Sequence, residues 1–222
     1  MKHTVKNHPA RSSRKCLALY VLAIFTASVF LFSPVAQAAP LNLTLLPSPQ
    51  FFSAYIVVNY TPGGTNNFTA NGWATKLIDG STLYNISYGS TPNFNITATI
   101  DTSGNASAGS LAIGGTIPTL GFNSGTLLTG ALTDFGFMSG GGDPLEFLFS
   151  GLGGDAAGLF GAYPAGVILS GLDNDFNGNW AEGFSHTTSG VANTGATPEP
   201  ATLLLLGSGL IGLAGVGRKF KS

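Results

Sequence analysis

The sequence predicts an all-β protein: a single β-sandwich or jelly-roll-like domain set between two apolar termini. Three observations carry this. Charged residues make up only 9% of the 222, while 32 are glycine; a soluble helical bundle needs about a quarter charged to cover its outer faces. At 44% hydrophobic, with 16 Phe and 6 Tyr, the chain can bury a core, which argues against disorder. Short period-two runs are separated by Gly, Asn, Asp and Pro turns, as a sandwich or barrel-like domain requires.

Residues 1–38 have the three parts of a signal peptide. Lys2, Lys6, Arg11, Arg14 and Lys15 precede an apolar stretch from Leu17 to Phe32, and Ser33-Pro34 then breaks any helix. Ala36-Gln37-Ala38 is the small-x-small site of signal peptidase, which places the cut between Ala38 and Ala39. One Arg14-Lys15 pair is thin support for twin-arginine export, so the general secretory route is expected. Cys16 is the only cysteine and lies before the cut. The mature chain therefore leaves the cytosol without disulfides and depends on its core.

The secreted domain is placed at 39–192. Phe51 to Tyr60 is aromatic and β-branched and stops at Pro62-Gly63-Gly64. Tyr84, Ile86 and Tyr88 alternate with Asn85 and Ser87, and Phe94, Ile96, Ala98 and Ile100 alternate with Asn95, Thr97, Thr99 and Asp101. Asp101-Thr102-Ser103-Gly104-Asn105 is a turn. Leu145, Phe147 and Phe149 share one face of a strand with Glu146 on the other, and Ala165–Ser170 suits a buried strand. Asp155–Phe160 is the one helical turn expected. No strict repeat is present, which makes a solenoid the second choice.

Residues 193–200 read as a linker, Ala201 to Gly217 as a transmembrane helix, and 218–222 as a basic cytoplasmic tail. The 17 uncharged residues would span about 25 Å as a helix, and Arg218, Lys219 and Lys221 suit the inner side of a membrane. Between residues 39 and 197 there is one base, Lys76, against nine acids, a formal charge of −8. Nucleic acid is not an expected partner of such a surface.

The order Pro198-Glu199-Pro200, Leu-rich run with Gly207 and Gly209, then Arg/Lys resembles the PEP-CTERM sorting signal of Gram-negative bacteria. The resemblance covers about 25 of the 222 residues. It implies that Pro198, Glu199 and Pro200 are recognised by exosortase, a membrane-embedded cysteine protease, and are not themselves catalytic. It further implies a precursor held transiently in the inner membrane, then a cell-surface or extracellular-matrix protein among exopolysaccharide. The runs 101–111, 125–130 and 132–137 loosely resemble domains that accompany such tails, with no activity attached.

Chemistry-bearing motifs are few. No phosphate loop, no Gly-x-Ser-x-Gly elbow and one mature histidine, His186, leave little for catalysis. His186 is expected as a solvated loop residue. Asp134 and Glu146 are the candidate carboxylates of a secreted hydrolase, the least favoured reading. Asp173, Asp175, Asn177 and Asn179, with Gly178 sixth, partly match a Ca²⁺ loop. The twelfth position is Phe184 rather than a bidentate Glu, and Glu182 falls two early, so an Asx-rich turn without metal is the competing reading. Trp73, Trp180, Tyr55, Tyr60, Tyr84 and Tyr88 are candidates for a sugar-stacking platform, with core packing the default. The expectation is a non-enzymatic exported protein, with a Ca²⁺-assisted carbohydrate-binding module as the alternative.

Overall fold

The computed structural model describes residues 39–172 and 175–198, the side chains of 188 and 189 excepted. The signal-peptide segment with Ala36 and Ala38, Asp173 of the candidate Ca²⁺ loop, and the tail from Glu199 onward lie outside the described residues. Among those described, no helix is long and apolar enough to cross a membrane.

Nine antiparallel strands form the domain: β1 (Gln50–Tyr60), β2 (Phe68–Asp79), β3 (Thr82–Asn85), β4 (Phe94–Ile100), β5 (Ala106–Gly114), β6 (Thr126–Phe137), β7 (Leu145–Gly153), β8 (Ala165–Ser170) and β9 (Phe184–Ala196). The only α-helical turn among the described residues is α1 (Ala157–Phe160), inside the predicted 155–160. Each strand pairs with its sequence neighbours, except that β3 is an appendage on the second half of β2. β1 pairs with both β2 and β9, from Gln50↔Gly195 to Tyr60↔Phe184, and this closes an eight-stranded up-and-down barrel.

The all-β expectation therefore holds, while the sandwich or jelly-roll arrangement gives way to a closed barrel. The same alternation serves either, because both have one buried face per strand. What differs is whether the first and last strands pair. β1 bends to reach both neighbours through irregularities at Phe52/Ser53 and Ala54/Val57 against β2, and at Ser53/Ile56 and Ile56/Val58 against β9. Residues 193–196, expected in the linker, are the end of β9 and pair with β8 as Asn193↔Ile168 and Ala196↔Ala165.

The period-two residues point inward as predicted: Phe94, Ile96, Ala98 and Ile100 of β4, and Leu145, Phe147 and Phe149 of β7, are buried. β2 leaves β4 beyond Gly72↔Phe94 to pair with β3. Asn93 fills that parting: its Nδ2 donates to the carbonyls of Ala74 and Gly114, both 3.0 Å, and its Oδ1 accepts from Ala74 N at 2.8 Å.

Aromatic side chains are buried in the interior at both ends. At one end, residues 175–183 turn inward and bury Phe176 and Trp180. Rings of Tyr60, Phe68, Phe135, Phe137, Phe176 and Phe184 surround Trp180, the nearest centroids at 4.7 and 4.8 Å. The Tyr60 hydroxyl donates to the Trp180 carbonyl at 2.8 Å. At the other end, α1 delivers Phe160, which stacks on Phe51 at 6.4 Å and 12°.

Candidate functional site

The chain on either side of the barrel is bound to it closely. Residues 39–49 cross the outer wall from β6 to β9 as a strap. The wall is cut away beneath by glycines: a Cβ on Gly136 would lie 2.6 Å from the Ala39 carbonyl oxygen, and one on Gly166 would lie 2.9 Å from Leu45 Cδ2. Glu146, paired with Gly136 across β6 and β7, faces outward into the strap and is 4% exposed. Its Oε2 accepts from Asn42 N at 2.9 Å and its Oε1 from Leu43 N at 2.8 Å. Further along, Leu46 N donates to the Ala196 carbonyl at 2.7 Å, and Ala196 N donates to Pro49 O at 3.3 Å.

The strap thus ties down the end of β9, from which the tail departs. Thr197 is buried, and its N–H donates to the Pro164 carbonyl at 3.1 Å. Pro198, the next residue, is exposed. The first proline of the candidate sorting motif stands two residues beyond the barrel's closing strand, and Glu199 and Pro200 follow outside the described residues.

The candidate hydrolytic carboxylates fall on the same outer wall. Asp134 pairs with Leu148 and Glu146 with Gly136, two register steps apart with Phe135↔Phe147 between them. Their surroundings differ: Asp134 is exposed and accepts from the N–H of Phe135 at 2.9 Å, whereas both oxygens of Glu146 are taken by the strap. The open groove nearest them, about 400 Å³, is lined by residues such as Thr133, Leu148, Leu152, Ala157 and Tyr163, and by no acid, histidine or cysteine.

His186 differs from expectation. It is not a solvated loop residue but a member of β9, paired with Val58 and 1% exposed. The bulges in β1 and β9 hid its strand from the sequence pattern. Its Nδ1 lies 2.7 Å from Asp175 Oδ2, which fastens the 171–183 loop to the barrel wall. Asp143 fastens the same loop at its start, accepting from Gly171 N at 2.6 Å and Leu172 N at 3.0 Å.

In the candidate Ca²⁺ loop, the oxygens of Asn177 and Asn179 close successive Asx turns, on Asn179 N at 2.9 Å and Ala181 N at 3.0 Å. Asn177 Nδ2 also approaches Glu182 Oε2 at 3.5 Å. No group of three His, Cys, Asp or Glu suited to a metal occurs among the described residues.

Two ionisable groups near this end are shifted. Burial and then the Asp101 carboxylate raise the Tyr60 phenol above its ordinary 10.0. For Asp101, desolvation works upward but is outweighed by hydrogen bonds from Asn105, Ser103 and Gly104, and the carboxyl is held low.

The six platform aromatics divide. Trp180 and Tyr60 are core. Trp73 is half-buried, with its ring 5.2 Å from that of Tyr88 at 40°, and Tyr55 and Tyr88 are 69% and 43% exposed. Tyr84 is half-buried on β3.

Residues 196–219 match the family described as the PEP-CTERM protein-sorting motif. No curated protein and no solved structure matches the chain. The motif match begins at Ala196, the last residue of β9. The chain carries this sorting signal, which indicates an exported protein, made as a membrane-anchored precursor and processed by an exosortase-type protease.

Proposed function

We propose that the processed product is a non-enzymatic component of the cell surface or extracellular matrix, released from the inner membrane when the tail is cut. The observation that carries this is the junction of barrel and motif. The barrel's strands and their hydrogen bonds reach as far as Thr197, and the Pro-Glu-Pro residues begin at Pro198, so cleavage there leaves every described strand of the barrel in the product. A structural or interaction role fits a barrel whose interior is filled by Phe, Tyr and Trp and whose best-placed carboxylate is spent holding a strap. Exopolysaccharide is the proposed surrounding material and signal peptidase the proposed first processing partner.

The test is the intact mass of the protein recovered from membrane, medium and matrix of its native host. Loss of the segment beyond about Pro198 from the released protein supports the reading. A chain running from Ala39 to Ser222, fixed in the inner membrane, overturns it.

A second reading is a Ca²⁺-assisted carbohydrate binder using 173–182. Its support is that one loop gathers Asp175, Asn177, Asn179 and Glu182, with the Asn177 amide against the Glu182 carboxylate. To bind an ion, Asp175 would exchange its bond to His186, and Asn177 and Asn179 would give up their turns. Calcium-dependent thermal stabilisation, abolished by Asp173→Ala with Asp175→Ala, supports this reading; no shift at millimolar calcium removes the metal from it.

A further inference from the structure

The outer wall of β1, β2 and β4 combines cross-strand amides and hydroxyls with exposed aromatic rings. Outward positions along β2 and β4 carry amides and hydroxyls in cross-strand ladders. Thr69 pairs with Thr97 and Asn71 with Asn95, the Asn95 amide donating to Asn71 Oδ1, and Thr97 Oγ1 meets Ser110 Oγ of β5 at 3.0 Å. Amides and hydroxyls both donate and accept, which is what a partner made of hydroxyl groups requires.

Aromatic rings stand at the edge of this ladder. Trp73 follows Asn71 on the same outward face, and Tyr88 lies tilted against it with its own ring exposed. Tyr55 is the extra residue of β1 between Ala54, which pairs with Trp73, and Val57, which pairs with Asn71. Its φ of 54° is a left-handed conformation that bulky side chains avoid. The bulge that imposes it holds a tyrosine 69% exposed beside the ladder. A groove of about 520 Å³ continues from Tyr88, walled by Ser87, Thr91, Asn93, Thr116 and glycine backbone.

Charge selects among partners. β1, β4 and β5 contain no acid, base or histidine, and β2 has Lys76 and Asp79 only in the half that pairs with β3. The whole domain carries nine acids against one base, so polyanions are repelled. Polar residues interrupt the rings, unlike the apolar centre of a protein interface.

We propose that this face, centred on Tyr55, Trp73 and Tyr88 with Asn71 and Asn95, binds uncharged polysaccharide, the rings stacking on sugar faces and the amides engaging hydroxyls. The site is separate from the 173–182 loop and needs no metal. It gives the matrix reading a partner class, and its test does not involve tail processing, so either can fail alone.

The test is native affinity electrophoresis of the full chain in a polyoxyethylene detergent, which carries no sugar headgroup to compete. Gels contain hydroxyethyl cellulose or dextran as neutral polymers, or alginate as a polyuronate. Expected are retardation by at least one neutral polymer, none by alginate, and no change with EDTA. Trp73→Ala and Tyr88→Ala each weaken retardation at least tenfold. Tyr55→Gly, which suits the left-handed backbone, weakens it with thermal stability retained, so the outcome does not depend on Trp73→Ala folding. Four results overturn the proposal: no retardation by either neutral polymer, equal retardation by alginate, loss on adding EDTA, or parent-like retardation of Tyr55→Gly and Tyr88→Ala. Self-association lost in the same variants, without glycan binding, would assign the face to a second copy instead.

Discussion

Glu146→Gln isolates the clamp that holds the strap. In the parent, each carboxylate oxygen accepts one backbone N–H, from Asn42 and Leu43, beneath a strap that leaves Glu146 only 4% exposed. Hydrogen bonds to a charged acceptor contribute about 1.5–3 kcal/mol, and an orphaned buried donor costs about 1–3 kcal/mol. Glutamine keeps the shape and one acceptor, but its NH₂ opposes the second N–H. One charge-assisted bond is lost and the other becomes neutral, a loss of about 2–4 kcal/mol. For a domain of this size that lowers Tm by about 4–16 °C. Thermal denaturation measures the total, and hydrogen exchange at the Asn42 and Leu43 amides locates it. Asn42→Gly is the control, because it retains the backbone N–H and suits the φ of 53° there. A Glu146→Gln variant with Tm within about 2 °C of the parent and unchanged protection at those amides would refute the clamp.

Three further outcomes follow from the same geometry. Trp180→Ala opens a cavity among six rings and costs about 3–5 kcal/mol, read as a lower denaturation midpoint. Trp180→Phe costs less, because Trp180 Nε1 has no hydrogen-bond partner among the described residues. The lowered Asp101 contributes stability that is present above its unfolded value, near pH 4, and is lost as pH falls through the folded one. The raised Tyr60 contributes stability that is full below pH 10.0 and lost as pH rises through its folded value. Chemical denaturation across pH should show Asp101→Asn flattening the acid limb and Tyr60→Phe the alkaline limb. Replacing Pro198, Glu199 and Pro200 by alanine should leave the uncut chain in the inner membrane, as intact mass reports.

Local structure was legible where one strand meets its neighbours in regular register. The alternation at 94–100 and 145–149 named the inward residues, and the 155–160 turn was visible before α1. Closure was not legible, because pairing β1 with β9 joins residues more than a hundred positions apart and depends on bulges that break the period. His186 was misread for that reason. Glu146 looked like any solvent-facing acid on a strand, since what buries it arrives from 103 residues away. The tail was legible from three short elements in order, and the match at 196–219 confirms it. The 171–183 loop shows the limit of residue patterns. The spacing that suggests an ion loop also suits consecutive Asx turns, and the same stretch supplies the Trp and Phe that plug the barrel.

The position of β9 has a consequence for export. Among the described residues, the strand that closes the ring is the last in the chain, and the sorting motif begins where it ends. Until that strand pairs, β1 and β8 are both open edges of an incomplete sheet, ready to pair with another chain. The sorting tail is therefore translated only after the strand that closes the barrel. A chain truncated before β9 would lack both the strand that closes the barrel and the sorting motif.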